Sequence, residues 1–153
     1  MVDVVGKATR SRMMSGIRAK NTNPELLVRS MLHRNGFRFR LHCDDLPGKP
    51  DLVLPRYGAA VFVHGCFWHC HRCHMFKWPK SNSPFWRKKI ASNRNRDKRC
   101  VTELLAMGWR VLTVWECALR GRNAKDSGRL VKQAASWIRS NRSRLEISGK
   151  IAV

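Results

Sequence analysis

Residues 64–74, His-Gly-Cys-Phe-Trp-His-Cys-His-Arg-Cys-His, hold four of the chain's six histidines and three of its six cysteines. Donors at that density are metal-ligand chemistry. Zinc takes four nitrogen or sulfur ligands tetrahedrally, and short spacings let one loop wrap the ion. Cys66, His71 and Cys73 offer three ligands, and Cys117, just past the run ending Trp115-Glu116, is the best fourth if the site is structural. His64, His69, Cys70 and His74 compete on spacing alone. The bland alternative, core thiols beside surface histidines, is rare at this density. A zinc deaminase is excluded, because no His-x-Glu is paired with a Pro-Cys-x-x-Cys. Cys43 and Cys100 read as ordinary buried or half-buried residues.

Charge says what such a site would act on. Thirty-one Lys and Arg face ten Asp and Glu, a formal +21. A surface so one-sided repels itself unless a polyanion neutralises it, and nucleic acid is the polyanion expected. No apolar run approaches membrane-spanning length, and no signal peptide is visible behind Lys7 and Arg10. The expectation is a soluble, cytoplasmic, nucleoid-associated protein with no membrane partner, acting as a monomer. In that reducing compartment the cysteines are expected to bind metal rather than form disulfides.

Hydrolysing a phosphodiester takes a divalent cation, oxygen ligands for it and a base for the attacking water. Ten carboxylates leave few candidates. Asp51 opens a strand after Pro50, and a second strand end, Val63-His64, follows nearby. This layout is similar to the PD-(D/E)XK nucleases, where an Asp begins one strand and an acid-x-Lys triplet lies on the next. Here that triplet is Phe62-Val63-His64, without the acid or the lysine. A backbone carbonyl at Val63 can still bind magnesium, and His69 can serve as the base. Asp97, on an apolar helix stripe, needs a partner: either His69, which it would orient, or an arginine. Glu25 is either a helix-cap acid or a supporting metal group.

These residues need elements to hold them. Asn23-Pro24-Glu25 predicts a helix start with Asn23 as cap, an apolar face of Leu26, Leu27, Met31 and Leu32, and Gly36 as its end. Residues 37–41, 51–54 and 59–63 read as strands, the last central and buried on both faces because it lacks alternation. Pro84 opens a long helix to Met107, with Trp86, Ile90, Asp97, Val101, Leu104 and Leu105 on one stripe. Trp109–Trp115 is a strand, and residues 127–140 form a last helix. The fold class expected is α/β, a small mixed β-sheet flanked by helices, in one domain over 1–153. Residues 1–22 are a basic N-terminal arm, and 123–153 a C-terminal helix and an uninformative tail.

At this point the residues resemble a known family. The run Phe62-Val-His-Gly-Cys-Phe-Trp-His-Cys-His-Arg-Cys73 resembles the signature of the very-short-patch-repair (Vsr) DNA mismatch endonucleases. So do Lys7-Ala-Thr-Arg-Ser11, Leu46-Pro-Gly-Lys-Pro-Asp51, Phe85-Trp86 and Gly108-Trp-Arg-Val-Leu-Thr-Val-Trp-Glu-Cys-Ala-Leu-Arg-Gly121. The likeness runs from about residue 7 to 122. Val63 replaces an expected Thr, and Cys70, Arg72 and His74 replace a more histidine-rich run, which keeps Cys70 open as a zinc ligand.

The resemblance implies a PD-(D/E)XK-like core with one structural zinc on Cys66, His71, Cys73 and Cys117. It implies nicking 5′ to the thymine of a T:G mismatch left by deamination of 5-methylcytosine, with mismatch-repair proteins as partners. Asp51 and the carbonyl of Val63 would bind magnesium, with His69 as base, Asp97 behind it, and His64 and Glu25 in support. Phe67, Trp68 and Trp86 would intercalate beside the mismatch, where unstacking is cheapest. Trp109, Trp115 and Trp137 fit the core instead. Arg87-Lys-Lys89, Arg94, Arg96, Lys98 and Arg99 are expected to contact phosphates. A restriction-type nuclease on matched DNA and a non-catalytic zinc-stabilised DNA-binding module are the competing readings.

Overall fold

The structure, a computed structural model, describes residues 22–120, 124 and 126–149; the expected N-terminal arm lies outside the described residues apart from its last position. The first element is α1, Asn23–Arg34. Its cap is Thr22 rather than Asn23: the Thr22 hydroxyl accepts from the Glu25 amide at 3.4 Å, leaving Asn23 and Pro24 inside the first turn. At the other end Gly36, at φ +90°, turns the chain so that the Phe37 amide donates to the Leu32 carbonyl at 3.0 Å. Phe37 therefore closes the helix and enters the core, and the strand expected from 37 starts only at β1, Arg40–Leu41.

β2 (Leu52–Leu54) and β3 (Ala59–His64) are joined by a 3-10 turn over Pro55–Tyr57, and β1, β2 and β3 pair antiparallel. The long helix α2 (Ser83–Ala106) crosses to β4 (Arg110–Trp115), which runs parallel to β3 with His64 opposite Trp115. A single turn, α3 (Glu116–Leu119), and then α4 (Ser127–Ile138) lead to β5 (Arg144–Ile147), parallel to β4. The five-stranded sheet runs in order β1 to β5 with β3 in the middle.

Strand β5 corrects the expectation of an uninformative tail. Arg144-Leu-Glu-Ile buries only Ile147, so its pattern is too faint to be seen, and its partner β4 is some thirty residues away in sequence. The lack of alternation in β3 has a direct cause. Val61 packs with Val28, Leu32, Leu112, Trp137 and Ile147 under α1 and α4, while Ala60 and Phe62 pack with Leu104 and Val111 under α2. Helices cover both faces of the sheet. Among the described residues no helix is long and apolar enough to cross a membrane.

Two local devices fix the site's frame. Gly48, at φ +77°, lies so close to α2 that a Cβ there would stand 2.9 Å from the Cys100 Cβ, so the turn leading to Asp51 seats against that helix only with glycine. Arg110 spreads its guanidinium over four carbonyls, those of Tyr57, Trp137, Ile138 and Arg142, at 2.6–3.3 Å, and lies on the Trp137 ring. It ties the end of α4 to the start of β3.

Candidate active site and metal centre

Because β3 and β4 are parallel and in register at His64 and Trp115, the loop after β3 and the turn after β4 leave the sheet side by side. Cys66, His71, Cys73 and Cys117 meet there, their ligand atoms all within 4.8 Å of one another. The His71 Nδ1 is 3.6 Å from the Cys66 sulfur and 3.4 Å from that of Cys117. A tetrahedron with zinc's usual Zn–S and Zn–N lengths has an S–N edge of about 3.6 Å, so the donors fit that ion. Burial first, then the neighbouring thiols, push Cys66 up, and burial pushes Cys117 up. Such thiols become thiolates together only around a cation. Cys70, held at φ +54°, lies outside this group of four.

Beyond the metal loop, His64 and His69 stack with centroids 3.8 Å apart and planes 4° from parallel. The His69 Nδ1 is hydrogen-bonded to Asp97 Oδ2, which leaves the Nε2 lone pair to accept a proton. Burial, then the His69 ring, hold His64 down at about 3, so it stays neutral, and its Nδ1 is sealed from solvent without a partner. Asp51 accepts the Val63 amide at 2.7 Å. Burial, reinforced by the Glu25 carboxyl, raises its pKa to about 7, against the opposing Val63 amide bond and the Arg29 charge. A carboxyl so placed is returned to its anion by a bound cation. Asp51, His64, His69 and Asp97 line a cleft of about 600 Å³, with Lys49, Arg96 and Arg99 on its walls.

Glu25, only 1% exposed, is ion-paired to Arg29 one helical turn on. His42 brings its Nε2 to 3.5 Å from Glu25 and 2.9 Å from Arg29, and Glu25, His42 and Asp51 offer ligand atoms within 4.8 Å of one another. Phe67, Trp68 and Trp86 form one cluster with centroids 5.1–5.8 Å apart. Trp86 is its base, 8% exposed, and Phe67 and Trp68 lie half-buried above it.

Comparison with known proteins adds to this geometry. The sequence model of a family described as DNA mismatch endonuclease Vsr matches residues 2–75. The DNA mismatch endonuclease Vsr of Escherichia coli (strain K12) is 45% identical, the match spanning 90% of this chain and 88% of that protein. The type II nicking enzyme V.XorIIP of Xanthomonas oryzae pv. oryzae is 48% identical over 83% of this chain and 93% of its own. The type II nicking enzyme V.NmeAIP of Neisseria meningitidis is 45% identical over 80% and 87%. The chain belongs to the Vsr family.

In this Vsr-family chain the residues singled out from sequence fall in three adjoining groups: the metal donors, the cleft around Asp51 and His69, and the aromatic cluster. Four side chains that sequence reasoning passed over hold those groups. Asn93 donates to the Trp68 carbonyl at 3.0 Å and accepts from Arg96 at 2.8 Å. Its signal was available, since it sits four residues before Asp97 as a second polar residue on an apolar stripe. Glu116 accepts the Cys66 amide at 3.3 Å. Arg29 was signalled by its place four residues after Glu25 on one helix, whereas His42 had no signal, because only the folded 42–50 turn brings it against α1.

Proposed function

We propose that this protein is a metal-dependent DNA mismatch endonuclease that nicks 5′ to the thymine of T:G mismatches arising from 5-methylcytosine deamination. It thereby starts very short patch repair in the bacterial cytoplasm, on the nucleoid, alongside mismatch-repair proteins. The observation that carries this reading is that one loop, 64–74, interleaves the metal donors, the aromatic pair Phe67-Trp68 and the His64–His69 stack. Family membership supports it, and the relatives named as nicking enzymes favour single-strand cleavage over a restriction-type double-strand cut.

On this reading the chain is a single domain with a PD-(D/E)XK-like core and works as a monomer. Zinc on Cys66, His71, Cys73 and Cys117 is structural. Magnesium, when bound by Asp51 and the Val63 carbonyl, supplies Lewis-acid stabilisation of charge developing on the phosphate. His69 takes the proton of the attacking water at Nε2, and Asp97 at Nδ1 fixes the tautomer and favours the imidazolium that results. His64, neutral, stacks beneath His69 and holds its plane, and Glu25 supports Asp51. Phe67 and Trp68 enter the duplex at the weak pair, with Trp86 backing them.

T:G and T:A duplexes incubated with Mg2+ test the proposal on a denaturing gel. The T:G strand is nicked and the T:A duplex is not; Asp51→Ala binds but does not nick. Double-strand cleavage of the matched duplex would establish the restriction-type reading instead, and an inert wild type the non-catalytic one.

A further inference from the structure

A second cleft, of about 500 Å³, adjoins the first, with His64, His69, Asp97 and Val101 forming the wall common to both. Thr113 and Trp115 of β4 line it, and four basic residues converge on it from three separate segments. They are Arg72 from the metal loop, Arg94 and Lys98 from α2, and Arg144 from β5. All four are exposed, and among the described residues none has a side-chain ion pair or hydrogen bond. Other arginines have partners, Arg29 in Glu25, Arg96 in Asn93, Arg99 in Glu103 and Arg120 in Glu116; what sets the four apart is that they converge on one cleft. The two carboxylates in the second cleft are already engaged. Asp97 holds His69, and Glu146 accepts the Trp115 indole N–H at 3.0 Å.

Four unmatched cations around an open trough call for a polyanion. A small anion would call for enclosed, converging donors, whereas these are spread along the rim and suit charges repeated along a chain. The common wall also means that a strand lying in the first cleft, with a phosphate at His69, has the second cleft as its continuation. We propose that the second cleft seats the phosphodiester backbone of the cut strand as it leaves the hydrolytic centre, with Arg94, Lys98 and Arg144 on successive phosphates and Arg72 at the rim. This rests on the endonuclease reading and adds to it a strand, a path and a task for β5.

The test is fluorescence anisotropy of labelled T:G and T:A duplexes across a series of NaCl concentrations, without divalent metal. Arg144→Ala and the double substitution Arg94→Ala, Lys98→Ala are compared with wild type. Arg56→Ala serves as the charge control, since Arg56 lies over Tyr57 and does not line the second cleft. Each phosphate contact removed should make the plot of log K against log salt shallower by about 1, alike on both duplexes. Arg56→Ala should keep the wild-type slope. Neutral methylphosphonates beside the nick site on the cut strand should erase the difference between wild type and Arg144→Ala; on the other strand they should not. Unchanged slopes in the cleft variants, an equal change in Arg56→Ala, or erasure from the uncut strand would each overturn the proposal. A wild type that binds both duplexes and nicks neither would defeat the endonuclease reading while leaving the slopes to decide the cleft.

Discussion

Replacing Asp51 by Asn should stabilise the magnesium-free protein at alkaline pH while abolishing its chemistry. In the fold the Asp51 carboxyl keeps its proton up to a pH of about 7, whereas in the unfolded chain it ionises near 3.8. Between those values the native state binds more protons than the unfolded one, so this group's contribution to stability falls as pH rises. Its cost is absent below 3.8 and complete above about 7. Roughly three pH units at about 1.36 kcal/mol each set that cost at about 4 kcal/mol as an upper figure. Asn keeps the oxygen that accepts the Val63 amide and carries no charge to bury. His64 opposes the trend in wild type: unfolded it titrates at 6.5 and folded at about 3, so its contribution is lost as pH falls through that range. Only the difference between wild type and variant isolates Asp51. The assay is urea unfolding followed by tryptophan fluorescence at pH 5 and pH 8.5, zinc-saturated and without magnesium. The variant should gain a few kcal/mol at pH 8.5 and much less at pH 5. Magnesium should then stabilise wild type by mass action and leave the variant unmoved. A variant no more stable than wild type at pH 8.5 would refute the claim that an uncompensated charge is buried there.

Four further outcomes are expected. His69→Ala should lower the single-turnover nicking rate by about 10²–10⁴-fold with T:G affinity retained, and Asp97→Asn should lower it less while altering its pH profile; equal rates in His69→Ala and wild type would remove His69 as the base. Cys117→Ser should lose zinc, measured by metal analysis of the purified protein, and unfold more readily; full occupancy in a stable variant would take Cys117 out of the ligand set. Arg110→Ala, which strips one guanidinium from four carbonyls, should cost about 2–4 kcal/mol in urea unfolding without changing the preference for T:G over T:A.

The parts of the site visible in sequence are those that one loop or one helix face assembles locally. Cys66, His71 and Cys73 wrap within eight residues, and Cys117 was within reach because adjacent strand ends carry it. What stayed hidden depends on distant pairing. Strand β5 exists because β4 offers it an edge, and Arg110 finds its carbonyls only when α4 returns to the sheet. His42 meets Glu25 only after the turn held by Gly48 has folded against Cys100. None of these leaves a periodic or spaced trace, since each residue reads locally as an ordinary polar or basic surface position.

The stripe of α2 shows where packing gives way to chemistry. Trp86, Ile90, Asn93 and Asp97 recur every three or four residues and so share one face. A helix serving only the core would carry apolar residues at all four. Here the middle of the stripe turns polar at the two positions that reach loop 64–74: Asn93 holds the Trp68 carbonyl and Asp97 the adjacent His69 ring. Two consecutive loop residues, one facing the aromatic cluster and one the hydrolytic cleft, are thus fastened to one rigid rod. A shift of Trp68 on meeting DNA must move His69 against Asp97 or strain the peptide between them. Under the proposed roles of Trp68 as wedge and His69 as base, insertion and alignment are mechanically one event, and Asn93→Ala should lower the nicking rate as well as the preference for T:G binding.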